Sequence, residues 1–310
     1  MKKFVILPDT TCDLSEELRN YFGVEDYMYG YVHINDGQIK TRLDWNEISR
    51  EEFYGTLSNK KNTVSSAVAS PEEFYEFFAR YAKQGYDIIS MSLSSKISAY
   101  FNEASKAAEM IRANFPECRI YCVDTMRMSG SLGLLVAYAC EMCKEGKSFD
   151  EIVNWLEENK HRVHQMGPID DLTFVARSGR ISTGKAIMGQ LIGVKPMGDC
   201  NKDGYVTVLS KVKGIKKALA VTVQYLKHMA TDVENQYIFV HHSAREEYGK
   251  TLKEMIEKSV PCKKVFLSDV FACSGTNIGP GMISVYFLGE PISDDCVKEK
   301  EALTLAISEC

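Results

Sequence analysis

The chain has 310 residues, with 37 Lys and Arg against 42 Asp and Glu, so its formal net charge is −5. This balance gives no electrostatic case for a nucleic-acid-binding protein, because phosphate contacts need clustered positive charge. With 45% hydrophobic and 25% charged residues, the composition does not suggest a disordered, collagen-like or membrane protein. The length predicts about two domains, each large enough to bury its own core.

Strand-like and helix-like segments alternate in the first half of the chain. We predict strands over residues 3–7, 27–34, 87–93 and 119–123, and helices that end near residues 22, 57, 83, 115 and 146. The predicted helix N-caps are Asp13, Asp44, Ser70 and Ser148, because each is followed three residues later by Glu, the spacing of a capping box. Strict alternation predicts a parallel sheet covered on both faces, and hence an N-terminal α/β domain over residues 1–166.

The second half of the chain is richer in strands, and its elements are shorter. We predict strands over residues 172–175, 194–197, 205–209, 236–241, 263–268 and 282–288, and helices over 182–191, 214–230, 243–258 and 302–307. Ser182 and Ser243 are the expected N-caps of two of these helices, and residues 275–281 are expected to form a Gly/Pro loop. This pattern predicts a smaller α+β domain over residues 167–310. No low-complexity linker separates the two halves, so we expect a tight interface between the domains.

Apolar runs and cysteines bear on the compartment. The first apolar run covers only residues 4–7, too short for a signal-peptide core. The least charged longer stretch, residues 128–140, is shorter than the roughly 20 residues that cross a bilayer. Of the ten cysteines, only Cys140 and Cys143 form a C-x-x-C, and they lie on one predicted helix without a second pair. We therefore expect a soluble, cytoplasmic protein with reduced thiols and no stable membrane insertion.

A basic loop, RSGRIS at residues 177–182, joins a predicted strand to a predicted helix. Arg180 supplies positive charge there and the helix start supplies N–H donors, a combination that suits anionic groups. Taken alone, a structural loop is the simpler interpretation. The Gly/Pro loop at 275–281 is equally open, either as an anion-binding nest or as an ordinary connection.

Hydroxyl side chains cluster where the predicted strands end. They are Thr10, Thr11, Ser65, Ser66, Ser94, Ser95, Ser98, Thr125 and Ser129. The carboxyl ends of parallel strands form the ligand crevice of open α/β sheets, and hydroxyls there can hold an anionic head group. For each residue alone, an N-cap or a turn is the simpler role. Ser98 is the sharpest case, because we expect it to open a long helix with its hydroxyl and free N–H groups at one point.

Acidic and histidine side chains give weaker signals. Asp9, Asp13 and Asp124 lie at the same strand ends and could serve acid–base chemistry or magnesium. His241 and His242 follow a strand, but the G-x-S-x-G elbow of a serine hydrolase is missing, as are the phosphate-binding glycine motifs. We therefore predict no catalytic residue, no metal and no cofactor.

Seven short motifs, in the right order, resemble those of the DegV family of bacterial fatty-acid-binding proteins. Residues 9–15 (DTTCDLS) resemble the family's D-S-T-x-D-L, and residues 94–100 (SSKISAY) resemble S-S-x-L-S-G-T. Residues 179–182 (GRIS) with the later Lys195-Pro196 resemble G-G-R-I-S…K-P. The other similar segments are 70–74, 123–135, 211–214 and 279–281. The resemblance runs over nearly the whole chain, to about Gly289.

The resemblance implies a two-domain α/β protein that holds a long-chain fatty acid in an apolar tunnel between its domains. It further implies that the carboxylate is held by Ser66, or by Ser65 because the alignment slips by one, together with Ser98 and Asn277. We add Ser95 from the hydroxyl rim and Arg180 from the basic loop as candidate fatty-acid-binding residues. Some relatives present the acyl carboxylate to a partner kinase that makes acyl phosphate, so a fatty acid kinase subunit is a candidate partner.

The chain departs from the family pattern at the site itself. The family's Thr-Ser-Gln reads either Ser-Ala-Val at residues 66–68 or Ser-Ser-Ala at 65–67, its Gly-Thr reads Ala-Tyr at 99–100, and its histidine is Asn277. Asparagine can donate a hydrogen bond but cannot carry charge. Binding is therefore better supported than transfer to a kinase, and we predict a non-enzymatic lipid carrier.

Two alternatives stay open, a phosphotransferase related to dihydroxyacetone-kinase-like sheets and a structural or regulatory module whose apolar gap is core. A basic surface is expected near the tunnel mouth, made by Arg180, Lys211, Lys213, Lys216 and Lys217. It contacts either a partner protein or only solvent.

Overall fold

The computed structural model describes residues 3–181 and 193–310 of the chain. Its strands are β1 (Phe4–Pro8), β2 (Gly30–Ile34), β3 (Gly37–Lys40), β4 (Val64–Val68), β5 (Asp87–Ser92), β6 (Ile120–Asp124), β7 (Val163–Pro168), β8 (Val194–Cys200), β9 (Val206–Lys213), β10 (Tyr237–His242), β11 (Lys264–Asp269) and β12 (Ile283–Leu288). Its α-helices are α1 (Glu16–Phe22), α2 (Arg50–Ser58), α3 (Pro71–Ala82), α4 (Tyr100–Asn114), α5 (Gly130–Lys144), α6 (Phe149–Asn159), α7 (Thr173–Ser178), α8 (Ile215–Met229), α9 (Glu246–Ser259), α10 (Ala272–Ile278) and α11 (Val297–Ser308). Across these two ranges, no helix combines the length and apolar character that a bilayer crossing needs.

The first half is built on a three-stranded parallel sheet in the order β1-β5-β6. All six residues of β5 are buried, as expected for a central parallel strand covered on both faces. Helices α3 and α4 pack together beside β5, and α5 contacts β1 and β5. The predicted parallel-sheet architecture of this half is confirmed.

A second, antiparallel sheet in the first half has the order β3-β2-β4. The segment at 27–34 was expected to alternate with helices as a parallel strand, and that expectation is wrong. β2 turns back into β3 through the pair Asn35-Asp36, where Asn35 has a φ of +53°. Asparagine tolerates this left-handed conformation, which two-residue hairpin turns need.

The second half is organised around a six-stranded mixed sheet in the order β11-β10-β12-β7-β8-β9. β10 and β11 run parallel, and the other pairings are antiparallel. The apolar cluster on the outer face draws on α8, α9 and α11, in agreement with the predicted α+β class. The inner face joins the main core of the first half through Phe239, Phe266 and Tyr286. Because β7 begins at Val163, it straddles the predicted domain boundary at 166/167, which stays a prediction.

Some helix starts were predicted correctly from the neighbouring residues, and others were not. Ser70 and Ser148 each form a complete capping box with the Glu three residues later, as predicted. The predicted caps at Asp13, Asp44 and Ser243 are wrong. The caps of α1 and α2 are instead Ser15 and Ser49, which accept N–H groups at 3.4 and 3.2 Å. The Ser243 hydroxyl accepts the N–H of Met282 at 2.8 Å, and α9 starts without a side-chain cap.

Two segments of the second half form a different kind of secondary structure from the one that we predicted. The expected strand at 172–175 is part of α7, and most of the expected loop at 275–281 is α10. The expected helix at 182–191 and its cap Ser182 lie outside the described residues. The ten cysteines all lie in the described ranges, and none of them is in a disulfide.

Candidate binding cavity

A cavity of about 220 Å³ lies where the parallel strands of the first half end. Thr11 follows β1, Leu93 follows β5, and Met128 and Ser129 follow β6, so the carboxyl edge of the sheet forms one wall. Residues of β4, β9, α7 and α10 supply further walls. The cavity therefore lies between the two halves of the chain, at the sheet edge where ligands bind in open α/β folds.

A second cavity, of about 80 Å³, adjoins the first. The residues that line both are Met128, Ser129, Val175, Val206 and Ile278. Most of the further lining side chains of the second cavity are apolar, namely Ile169, Leu172, Pro196, Met197, Val208 and Met282. The two cavities thus lie side by side, and the walls of the second are mainly apolar.

Polar side chains are concentrated in the first cavity. They are Thr11, Ser66, Ser98, Ser129, Arg180, Ser274 and Asn277. Arg180 is the one charged side chain among the described residues that line it. Two adjoining cavities, one hydroxyl-rich and one mainly apolar, suit an amphipathic ligand with a small anionic head group.

Ser66 and Asn277 form a pair across the cavity wall. Asn277 on α10 donates its amide N–H to Ser66 Oγ at 2.9 Å and to the Cys273 carbonyl at 3.3 Å. Since Ser66 accepts in this bond, its own hydroxyl hydrogen is free to donate to a ligand. Asn277 therefore orients Ser66.

Ser65 does not line the cavity, although the sequence left it as an alternative to Ser66. The two residues are neighbours on β4, and successive side chains of a strand point to opposite faces. Ser65 pairs with His33 and is exposed, whereas Ser66 pairs with the fully buried Val32. The exposure of Ser65 and the presence of Ser66 in the cavity wall thus separate the two candidates.

Ser98 lines the cavity, but it is not the N-cap of α4. That position belongs to Ala99, which makes no side-chain cap. Ser98 Oγ accepts the N–H of Tyr100 at 3.4 Å, a long contact that leaves the hydroxyl hydrogen available. Ser95 lies outside the cavity, and its backbone N–H bonds to Asp124 Oδ1 at 3.1 Å.

Arg180 is half-buried and held by backbone carbonyls. Its Nε donates to the Ile97 carbonyl at 3.0 Å, and a second N–H donates to Ser178. A guanidinium has five N–H donors, so these two contacts fix its plane without exhausting it. Arg180 thus brings a positive charge to the hydroxyl-rich end of the cavity.

A buried acid that the sequence assigned to a capping box stands behind the cavity wall. Asp13 is fully buried and accepts Ser129 Oγ at 2.6 Å and the Phe271 N–H at 3.0 Å. Burial raises the pKa of Asp13 to about 8, although these hydrogen bonds act to lower it. Asp9 is likewise buried, and burial raises its pKa to about 6. The signal for these buried acids in the sequence was a pair of carboxylates, Asp9 and Asp13, that follow a predicted strand and lie near hydroxyl residues.

The histidine pair is buried in the sheet. His241 has no hydrogen-bond partner for either ring nitrogen within the described ranges, and burial lowers its pKa to about 3. Its neighbour His242 lies 3.6 Å from Asp269. Neither ring lines the described walls of the two cavities. In the part of the chain that the structure covers, no group of three or more His, Cys, Asp or Glu is arranged to hold a metal.

The family model described as "Uncharacterised protein, DegV family" matches residues 3–290. The chain belongs to the DegV family. A DegV domain-containing protein of Clostridium perfringens is 34% identical over 290 residues, which cover 94% of this chain and 99% of that protein. The family resemblance read from the motifs is therefore confirmed.

Solved structures of DegV proteins share the fold. A DegV family protein from Thermus thermophilus, described for its fatty acid binding, has a TM-score of 0.83 at 24% identity, covering 93% of this chain and all 100% of that one. A protein of the family from Ruminococcus gnavus, solved with vaccenic acid, has a TM-score of 0.82 at 19% identity, covering 91% and 99% of the two chains. At these identities the likeness establishes a common fold.

Proposed function

We propose that this DegV family protein binds a long-chain fatty acid in the two adjoining cavities and acts as a non-enzymatic carrier. The carboxylate lies at the hydroxyl-rich end, near Ser66, Ser98 and Arg180, and the acyl chain extends along the apolar walls. The observation that carries the proposal is the polarity of two adjoining cavities, the first hydroxyl-rich at the sheet edge and the second mainly apolar.

The acyl chain and the carboxylate of the ligand contribute differently to the binding free energy. Each CH₂ group removed from water contributes about 0.8 kcal/mol, so the acyl chain supplies most of the affinity. A hydrogen bond to a charged group contributes roughly 1.5–3 kcal/mol, so the hydroxyls set the orientation and select for a carboxylate. Arg180 offsets part of the charge of the head group.

Asn277 has a positioning role in this proposal. Its amide N–H on Ser66 Oγ directs the Ser66 hydroxyl hydrogen into the cavity. Because asparagine does not titrate, this arrangement stays the same at mildly acid pH, where a histidine would gain charge.

Presentation of the bound acid to a kinase subunit is a finer proposal, and an exposed basic surface supports it. Lys211, Lys213, Lys216 and Lys217 are exposed at the end of β9 and the start of α8. Val206 and Val208 of the same strand line the cavities. A partner that docks on these lysines would therefore contact the strand whose opposite end lines the cavities.

Titration calorimetry with palmitic acid and its methyl ester tests the proposed binding. The ester keeps the hydrocarbon but loses the charge that the hydroxyls and Arg180 recognise. We expect one acid bound per chain and an ester affinity at least roughly tenfold lower, from the loss of charged hydrogen bonds. Absence of binding by saturated and unsaturated acids alike would overturn the proposal.

A further inference from the structure

Ser274 presents an unused hydroxyl to the first cavity. The side chain lines the cavity and is only 8% exposed, yet its Oγ has no hydrogen-bond partner among the described residues. Ser274 is close enough to Asp13 to lower the pKa of that acid, but the two side chains do not reach hydrogen-bonding geometry. A buried hydroxyl without a partner is destabilising, so a ligand atom that pairs with it gains affinity.

Ser129 brings a second hydroxyl to the same region. It is 2% exposed and lines both cavities, which places it where the head-group end passes into the apolar end. Its hydrogen is donated to Asp13, so Ser129 Oγ keeps a lone pair for a ligand donor. Ser129 has a φ of +51°, a conformation that only the surrounding contacts can hold in a non-glycine residue.

The polar character continues onto the wall of the second cavity. Gln165, Ser284 and Tyr286 lie there on the inner face of the mixed sheet. The Gln165 amide oxygen accepts the Ser131 hydroxyl at 2.9 Å, a bond that does not use the amide N–H groups. The wall of the second cavity thus carries further hydrogen-bonding groups beside Ser129.

We propose that the cavity selects fatty acids that carry a hydroxyl group along the acyl chain, with its oxygen accepting from the Ser274 hydroxyl and its hydrogen donated to Ser129 Oγ. This inference rests on the proposed binding of a fatty acid and names its class more narrowly. A plain hydrocarbon chain leaves the Ser274 hydroxyl dehydrated and unpaired, whereas a chain oxygen satisfies it. Sites built to hydrogen-bond an oxygen discriminate strongly against analogues that lack it.

The test compares stearic acid with a series of hydroxystearic acids whose hydroxyl occupies successive positions, using displacement of a fluorescent fatty acid. We expect at least one positional isomer to bind roughly tenfold more tightly than stearic acid, the value of one additional buried hydrogen bond. Ser274→Ala is expected to remove that preference, so that the affinity ratio between the preferred isomer and stearic acid falls roughly tenfold, to parity. Because Ser274 Oγ has no partner to lose, the variant is expected to melt no lower than the parent.

The outcomes separate this inference from the proposed function. Equal affinity of stearic acid and every isomer overturns the selectivity and leaves fatty-acid binding standing. An equal loss for both ligands in Ser274→Ala shows a general packing role and overturns the assignment of Ser274. If neither stearic acid nor any isomer binds, the proposed function fails as well.

Discussion

Replacement of Ser66 tests the head-group site with a matched neighbour as control. Ser66 and Ser65 are the same residue type on the same strand, but only Ser66 lines the cavity. Ser66→Ala removes one hydroxyl donor and deletes the acceptor of the Asn277 amide N–H. Ser65→Ala changes an exposed side chain on the other face, so any effect through β4 itself is common to both variants.

The expected magnitude follows from the bond that is lost. A hydrogen bond to a charged group is worth about 1.5–3 kcal/mol, and 1.4 kcal/mol corresponds to a factor of ten in affinity. Ser66→Ala is therefore expected to weaken fatty-acid binding roughly ten- to a hundredfold. Ser65→Ala is expected to leave the affinity within about twofold of the parent, as for most surface changes.

The assay is displacement of a fluorescent fatty acid, with melting measured on each variant. Asn277→Ala serves as a third arm, because loss of the orienting N–H is expected to cost part of the same energy. Asn277→His is expected to restore it, since a ring N–H can donate from the same position. If Ser66→Ala binds fatty acid like the parent, or if Ser65→Ala loses as much affinity, then Ser66 does not hold the carboxylate and the head group binds elsewhere.

Three further predictions concern other parts of the account. Ser98→Ala is expected to weaken binding roughly tenfold, with less than about 1 kcal/mol lost in urea unfolding because Ala99 is the N-cap; a larger stability loss would show a structural role. Charge reversal at Lys213 and Lys216 is expected to keep acyl affinity within about twofold, and a large loss would place these lysines at the ligand. In the folded chain, burial raises the pKa of Asp13 from its ordinary value of 3.8 to about 8. The unfolded chain therefore loses the Asp13 proton at a lower pH than the folded chain does, and the free energy of unfolding decreases as the pH rises from 3.8 to about 8. Asp13→Asn is expected to flatten that slope in denaturation curves, and an unchanged slope would assign it to other groups.

Short-range signals predicted the outline of the fold. The capping boxes at Ser70 and Ser148 and the buried run of β5 depend on residues within a few positions of each other. Period and capping are local properties, so they are legible in a sequence. The expectation that the two halves of the chain enclose a tunnel came from the resemblance to the family motifs.

Contacts distant in sequence explain what was missed. Asp13 was assigned to a cap, but its partners are Ser129 and the Phe271 N–H, more than a hundred residues away. Gly275 suggested a loop, yet it lies inside α10 where a Cβ would come within 2.7 Å of the Tyr54 hydroxyl and 3.0 Å of Phe53. The glycine serves close packing there rather than a turn.

The candidate site was predictable as a region and less so by residue. The strand-end hydroxyls indicated the edge of the sheet at which the cavity lies, and Ser66, Ser98, Arg180 and Asn277 all line that cavity. The choice between Ser65 and Ser66 required β4, a short and polar strand whose sequence, VSSAV, gives little periodic signal. Their roles in binding stay predictions.

Mass spectrometry of an organic extract from the purified protein tests directly whether the chain binds a long-chain fatty acid. A tightly held ligand survives purification, and added ligand stabilises the folded chain in proportion to its affinity. We predict a long-chain fatty acid in the extract at close to one per chain, and a raised melting temperature when palmitic acid is added to delipidated protein. An extract without lipid, together with an unchanged melting temperature, would contradict the account.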